Sequence, residues 1–338
     1  MGRLLVRVFL GSCALATVGL VLAFAESVWF IWRTVSNSLS DPSIPIAATP
    51  GFPGILLALW LYFFLVLPPL ILALLLSGSF VRAPPPGAGV PPSGSEAREM
   101  NGPTAVVLTA YNDEASIGQA VDDFSRVKCV SKVIVVDNNS TDRTTEIAQG
   151  HGAVVVSESK QGYGYACMAG LQFALKNTDA TRIVLAEGDM TFFAEDTKKL
   201  LPYLDDCDLV LGTRTTRVLT RQGSQMDWFM TWGNMFLAYL IRMRYWDSIF
   251  VGQARLTDVG CTFRAIRRDS LAKIIDRLTV GGHYFSPHMI LMALSEHLRV
   301  VEVPVKFRER MGVSKGAGGS RKRALGIGFQ MLAEIALH

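Results

Sequence analysis

Apolar residues are spread very unevenly along this chain of 338 residues, and that unevenness limits what it can fold into more than any other feature. From Val8 to about Ala25 the sequence is almost wholly apolar, and a second apolar run extends from Gly54 to about Phe80. About 20 apolar residues in a helix cross a bilayer core, so each run is long enough to span. Trp29, Trp32 and then Arg33 follow the first run, and tryptophan favours the membrane–water interface. A cleaved secretory leader is the competing reading, with Arg3 and Arg7 as its basic start. Against it, Glu26 and the tryptophans stand where a small-residue cleavage site belongs. Pro68-Pro69 interrupt the second run. Each removes a backbone donor and kinks a helix, which a membrane tolerates where neighbours satisfy the freed groups; a re-entrant segment is the alternative. Arg3 and Arg7 precede the first run, Arg82 follows the second, and the stretch from Ser36 to Pro53 has no Lys or Arg. The positive-inside rule then puts both ends in the cytoplasm. Residues 1–81 are expected to form a hairpin of two transmembrane helices, making a multi-pass membrane protein whose remaining domain is cytoplasmic.

Residues 82–102, with Pro84-Pro85-Pro86 and Pro91-Pro92-Ser93-Gly94, have the composition of a linker. The net charge of +4 comes without a Lys/Arg run interleaved with aromatics, which argues against nucleic acid as a partner and suits a protein lying on anionic lipids. Five scattered cysteines (Cys13, Cys129, Cys167, Cys207, Cys261) form no CxxC pair, so neither a disulfide framework nor a zinc site is expected. His283 and His288 belong to no HExxH set, which argues against a zinc hydrolase.

Beyond Pro103 short apolar runs alternate with helix-like stretches. The runs are Ala105 to Ala110, Val133 to Val136, Ala153 to Val156, Ile183 to Ala186, Leu209 to Leu211 and Val301 to Val305. Ala115 to Phe124, Asp142 to Gln149 and Tyr165 to Leu175 are the helix-like stretches between them. This alternation predicts an α/β domain over 103–338 with a mainly parallel sheet, and such sheets bind ligands at the carboxyl ends of their strands. Three strand ends carry carboxylates: Asp113 and Glu114, Asp137 and Asp142, and Glu187 with Asp189. Asp142 or Ser140 has an ordinary alternative as a helix cap. Glu187 and Asp189 flank Gly188; such a pair can share one hard cation while the glycine lets a ligand approach.

In this order the motifs resemble family 2 glycosyltransferases, and within them the dolichyl-phosphate mannose synthase-like, or polyprenyl-phosphate, branch. The resemblance covers about 103–325 and implies a GT-A (Rossmann-like) glycosyltransferase fold. Thr109-Ala110-Tyr111-Asn112-Asp113-Glu114 is similar to the family's first-strand motif, which implies contact with the nucleotide base; the family has Glu where Asp113 stands, so Asp113 and Glu114 both remain open. Asp137 is similar to the aspartate that reads base or ribose. Gln161-Gly162-Tyr163-Gly164 resembles a Gly-Lys-Gly stretch, with Tyr163 in place of the lysine; a plain turn is the alternative for its glycines. Glu187-Gly188-Asp189 resembles the Asp-x-Asp metal motif, with Mg2+ or Mn2+ as the implied cofactor and Asp189 as the chief ligand. Thr191 stands where the branch often has Gln. Arg214 after Gly212-Thr213, Arg264 after Asp258-Val259-Gly260-Cys261-Thr262-Phe263, and Arg310 with Lys315 in Arg310-Met311-Gly312-Val313-Ser314-Lys315 resemble the branch's phosphate-binding segments, the last a loop over the donor and acceptor phosphates. Arginine suits phosphate because its planar fork pairs bidentately with oxyanions; the alternatives are a surface arginine and a solvated basic loop. Ser286-Pro287-His288 departs from a segment where the branch often has Glu.

The resemblance implies inverting transfer of a sugar from a UDP- or GDP-linked donor to a polyprenyl (dolichyl or undecaprenyl) phosphate. One rival is transfer to a glycolipid or saccharide hydroxyl with Asp258 as general base. Another is an inactive glycosyltransferase-like scaffold. The apolar stretch Met226 to Ile249, with Trp228, Phe229, Trp232 and Phe236 at helical spacing, reads equally as core or as an interfacial helix guiding a lipid tail. A final amphipathic helix, Ala324 to Leu337, is expected to dock on the domain or lie on the bilayer.

Overall fold

The structure is a computed structural model that describes residues 102–220, 226–245, 256–311 and 321–337. The expected membrane hairpin over 1–81 and nearly all of the 82–102 linker lie outside the described residues, as do Ser314 and Lys315. Among the described residues no helix is long and apolar enough to cross a membrane.

Seven strands form one sheet: β1 (Thr104–Ala110), β2 (Val130–Asp137), β3 (Val154–Ser157), β4 (Arg182–Glu187), β5 (Leu209–Thr213), β6 (Arg264–Arg267) and β7 (Val300–Pro304), in the order β3-β2-β1-β4-β6-β5-β7. All six runs read from the sequence are strands. The seventh, β6, carries the alternating segment Arg-Ala-Ile-Arg, too short and charged to register as an apolar run. It pairs antiparallel with both β4 and β5, so the sheet is mixed, while its other four pairings are parallel, as a mainly parallel sheet requires.

Every residue of β1 is buried because helices cover both faces of the sheet. Val106, Leu108 and Ala110 pack in one core with Ile117, Val121 and Phe124 of α1 (Ile117–Ser125). Val107 points the other way, toward α3 (Tyr163–Asn177), as alternation along a strand requires. Between them in the chain lies α2 (Thr144–Gly150); Asp142, one residue before its N-cap Arg143, accepts from the helix's first N–H, Thr144 N, at 3.0 Å.

The remaining helices build the other side of the site. The helix α4 (Trp228–Arg244) starts at Asp227, whose side chain accepts from Met230 N, and buries Asn234, Leu237, Ala238 and Ile241. Its Trp228 and Trp232 are 64% and 61% exposed, so they are not core. After α5 (Arg268–Ile274) comes α6 (Phe285–Ser295), buried along nearly its whole length. The last helix, α7 (Arg321–Leu337), packs on α4 and α6. His288 Nδ1 of α6 lies 2.7 Å from Glu334 Oε1 of α7, so the final helix is docked through a nearly buried polar contact. Leu325, Phe329 and Leu337 on α7 stay exposed.

Packing of α3 on the sheet is close at Gly170, where an added Cβ would lie 2.3 Å from Val107 Cγ1 and 2.6 Å from Val136 Cγ2. Helix propensity alone favours alanine over glycine by about 1 kcal/mol, whereas overpacking costs about 1–3 kcal/mol. Gly170→Ala is therefore expected to lower the thermal unfolding midpoint of the full chain; a rise would show that α3 can retreat from the sheet at no cost.

Candidate active site

Strand register assembles the site. Ala110 pairs with Asp137 across β1 and β2, and Thr109 pairs with Glu187 across β1 and β4, so three carboxyl ends finish at one edge. Because β6 runs backwards, its first residue, Arg264, pairs with Leu185 and Leu211 near the ends of β4 and β5. The turn carrying Asp258 is thereby delivered to the same edge. Three non-glycine residues with positive φ stand just beyond these ends: Asn112 (50°), Asn139 (62°) and Met190 (66°). Asparagine tolerates this region, but for methionine it is strained, and such strain gathers at functional sites.

At the first end, Asp113 is buried, with its Oδ2 accepting from Tyr111 N at 3.0 Å. Glu114 points outward to accept from Arg143 N at 3.2 Å. Geometry therefore places Asp113, and not Glu114, in the site. At the second end, Asp137 accepts from Ser140 N at 3.3 Å. Asn138, which follows Asp137 in the second-strand motif and had no role assigned from sequence, is the hub: its Oδ1 accepts from Gly162 N at 2.8 Å, and its Nδ2 donates to Glu158 O and Lys160 O.

Glycine is required at Gly162 by neighbouring backbone. Its φ is 152°, and an added Cβ would sit 2.3 Å from Gly281 O. Gly162 still lines the cavity. Gly188 corrects the expectation of close ligand approach, since the space a Cβ would take is occupied by Ile117 Cδ1 at 2.6 Å. Tyr163 stacks on His283 with 6.3 Å between ring centroids.

The third end holds the densest charge. Asp189 is 1% exposed, and its Oδ1 accepts from Thr191 N at 3.0 Å and Thr191 Oγ1 at 2.6 Å. Thr191 thus orients this carboxylate where the branch often has Gln. Asp189 Oδ2 faces Arg310 Nη1 at 3.3 Å, Glu187 Oε2 lies 3.8 Å from the same nitrogen, and Arg310 Nη2 reaches Asp113 Oδ1 at 3.1 Å. Burial, with Asp189 alongside, raises the Glu187 pKa well above the carboxylate range. Burial works against the Arg310 charge, but Asp189, Glu187 and Asp113 outweigh it and raise its pKa. Arg310, expected on phosphate, is therefore spent on carboxylates here.

Oxygen-only ligands suit a hard divalent ion, and Asp189 Oδ2 and Glu187 already converge on one cation, the guanidinium. Among the described residues no group of three or more His, Cys, Asp or Glu forms a complete metal cage. The two carboxylates by themselves fit part of the ligand set of a hard divalent ion.

Asp258 is fully buried and holds Arg214 in a fork: Oδ2 accepts from Arg214 Nε at 2.8 Å and N at 3.0 Å, and Oδ1 from Nη2 at 2.8 Å. Gly260 N adds a donor to Oδ1 at 3.2 Å. A carboxylate so occupied is badly placed to take a proton. Glu302 on β7 supports the turn, accepting from Thr257 N, Thr257 Oγ1 and Asp258 N at 2.7, 2.8 and 2.9 Å. A lone acid between valines in Val-Glu-Val-Pro-Val was the overlooked signal of that role. Arg264 is a correction: it is 2% exposed, and its Nη1 and Nη2 donate to Ser286 O and Cys261 O. Its guanidinium is held inside the protein under the site, not presented to a phosphate.

A cavity of about 570 Å³ connects these parts. Thr109, Ala110, Tyr111, Asp113, Glu187, Arg214 and Arg310 line its polar end, and Phe229, Trp232, Phe236, Leu325, Phe329 and Leu332 line an apolar end between α4 and α7.

Residues 105–275 match the sequence profile of the family described as Glycosyl transferase family 2. The dolichyl-phosphate hexose transferase of Haloferax volcanii is 31% identical over 212 residues, covering 62% of this chain and 85% of that protein. The polyprenol monophosphomannose synthase of Mycolicibacterium smegmatis is 27% identical over 232 residues, covering 66% of this chain and 84% of that protein. Among solved structures, glucosyl-3-phosphoglycerate synthase from Mycobacterium tuberculosis, in complex with Mn2+, UDP and phosphoglyceric acid, superposes with a TM-score of 0.52 at 20% identity, covering 69% of this chain and 77% of that one. At that identity the likeness shows the fold, an α/β GT-A-like one.

Removing one partner of a buried ion pair costs about 3–5 kcal/mol. Asp258→Ala and Arg214→Met are each expected to destabilise the protein on that scale, with the double variant losing much less than the sum in a thermal-unfolding cycle. Glu302 makes a pH-dependent contribution. Burial raises its pKa from 4.5 to about 6 against the pull of its three donors. The folded state thus favours the protonated group, whose stabilisation is complete below about 4.5 and gone above about 6. Relative to Glu302→Gln, the wild type should lose about 2 kcal/mol between those pH values, read from unfolding midpoints.

Proposed function

The chain belongs to glycosyl transferase family 2, and from that premise we propose that it transfers a hexose, with inversion, from a nucleotide diphospho-sugar to a polyprenyl phosphate at the cytoplasmic face of a membrane. The observation that carries this reading is one cavity whose lining extends from the carboxylates at the strand ends to an apolar corridor between α4 and α7. A sugar nucleotide has no use for such a corridor, whereas a long isoprenoid tail does. Relatives named for dolichyl phosphate and polyprenol support the same acceptor class.

In this reading Asp113, Asp137 and Asn138 take the nucleoside at the ends of β1 and β2. Asp189 and Glu187 would hold Mg2+ or Mn2+. Such an ion neutralises charge on the departing nucleoside diphosphate. Arg214, fixed by Asp258, faces the cavity with its side chain 12% exposed and stabilises phosphate charge as the sugar–oxygen bond to the donor breaks. An acceptor phosphate oxygen forms the new bond from the opposite side of the anomeric carbon. Its second pKa, about 6, leaves it ionised at neutral pH, so no protein base is needed. That agrees with an Asp258 whose oxygens are already engaged by Arg214, and it disfavours a hydroxyl acceptor.

The membrane side of the proposal rests on position and charge. Trp232 and Phe236 on α4 and Leu325 and Phe329 on α7 are exposed at the corridor, and Trp228 is exposed one turn before Trp232. Arg242 and Arg244 end α4, and Arg321, Lys322 and Arg323 begin α7. Apolar side chains flanked by cations suit the headgroup region of an anionic leaflet, and the apolar runs of residues 1–81 would anchor the domain there.

Full-length protein in detergent, given polyprenyl phosphate, Mg2+ or Mn2+ and labelled UDP- and GDP-sugars, should yield labelled lipid with one donor. Asp189→Asn should reduce that yield at least about 100-fold. Absence of labelled lipid with every donor would overturn the proposal.

A further inference from the structure

One guanidinium serves three carboxylates at the centre of the site. Arg310 meets Asp113 Oδ1 at 3.1 Å, Asp189 Oδ2 at 3.3 Å and Glu187 Oε2 at 3.8 Å. Its side chain is 12% exposed, and its Nε has no hydrogen-bond partner. The guanidinium is therefore held at its tip, by oxygens that suit a divalent ion.

Two cations cannot use Asp189 Oδ2 together without strong repulsion in a poorly solvated site. A hard ion bound to oxygen at about 2.0–2.2 Å and a guanidinium at hydrogen-bond distance are alternatives for that atom. Exchange is also mechanically simple. The backbone on either side of Arg310 is tied to the turn after β4 by bonds that do not involve its side chain: Arg308 N donates to Thr191 O at 3.0 Å and Met311 N to Asp189 O at 3.2 Å. The side chain can swing while its backbone stays in place.

A bare divalent ion entering this site would strip Arg310 of its partners and leave a buried cation uncompensated, which is costly. An ion that arrives with a nucleoside diphosphate brings the replacement partner, because a diphosphate offers the paired oxygens that a guanidinium fork matches. We propose that Arg310 is a tethered counter-cation: it holds the divalent ion's place on Asp189 and Glu187 in the empty enzyme, and passes to the donor diphosphate when ion and nucleotide enter together. This rests on the metal-dependent reading above. It adds that the two ligands bind as a coupled pair, and that Arg310 sets the coupling.

Direct Mn2+ binding to the full chain, followed by electron paramagnetic resonance and titration calorimetry, tests this without turnover. Wild type should bind Mn2+ weakly alone and at least about tenfold more tightly with UDP or GDP. Arg310→Met should bind Mn2+ alone at least about tenfold more tightly than wild type, with a smaller gain from nucleotide. Arg310→Gln is the second variant should the methionine protein not fold. In either variant, added methylguanidinium should weaken Mn2+ binding, an effect that a merely structural role for Arg310 does not produce. Variants that bind Mn2+ alone no more tightly than wild type would overturn the counter-cation role while leaving the metal site standing. If wild type binds no Mn2+ with either nucleotide, the metal-dependent reading fails, and this proposal with it.

Discussion

The reversal of one strand is the constraint on which the rest of the site depends. With β6 inserted antiparallel between β4 and β5, its amino-terminal end meets their carboxyl ends. The chain leading into β6 therefore passes through the ligand edge of the sheet, where β4 ends at Glu187 and β5 leads into Arg214. Asp258 can then reach Arg214, and Glu302, which pairs with Leu211 across β5 and β7, can hold the turn between them. A co-directional strand at the same place would have sent that turn to the opposite edge of the sheet.

Charge in this region is arranged by pairing, and the pairings differ in kind. Arg214 has one dedicated carboxylate, with both forks matched, so its position is set before any ligand arrives. Arg264 has backbone carbonyls, and burial lowers its pKa; its place is structural, under the sheet edge. Arg310 is shared among Asp113, Glu187 and Asp189 at longer distances and with single contacts. A cation held in that way is the easiest of the three to exchange, because no single geometry has to be broken. Preorganised and exchangeable charge therefore stand side by side along one wall of the cavity.

Apolar chemistry completes the design from the other side. Leu237, Ala238 and Ile241 fasten α4 to the domain, while Trp232 and Phe236 stay exposed where they line the cavity. Asn234 connects the two regions, since its Oδ1 accepts from Gly260 N beside the Asp258 turn at 2.9 Å. The helix that lines the corridor is thus bonded to the turn that positions Arg214. On the far side α7 is kept in place by the His288–Glu334 contact, which gives His288 a packing role.

Strands, helices and carboxylates at the strand ends were legible in the sequence because they are local. A run such as Ala105 to Ala110 must be buried, and the polar residues after it must emerge at its end. Motif order was enough to recognise the family. Pairing across the sheet was not legible, since it joins residues far apart in the chain. Nothing near Arg264 says that it begins a reversed strand and turns inward, and nothing near Arg310 says that it will meet Asp113, 197 positions away. Sequence alone determined which strands end in charged groups; tertiary structure decided which of those groups face the site and which neutralise one another there, because in a poorly solvated site each charge takes the partner that the fold brings within reach.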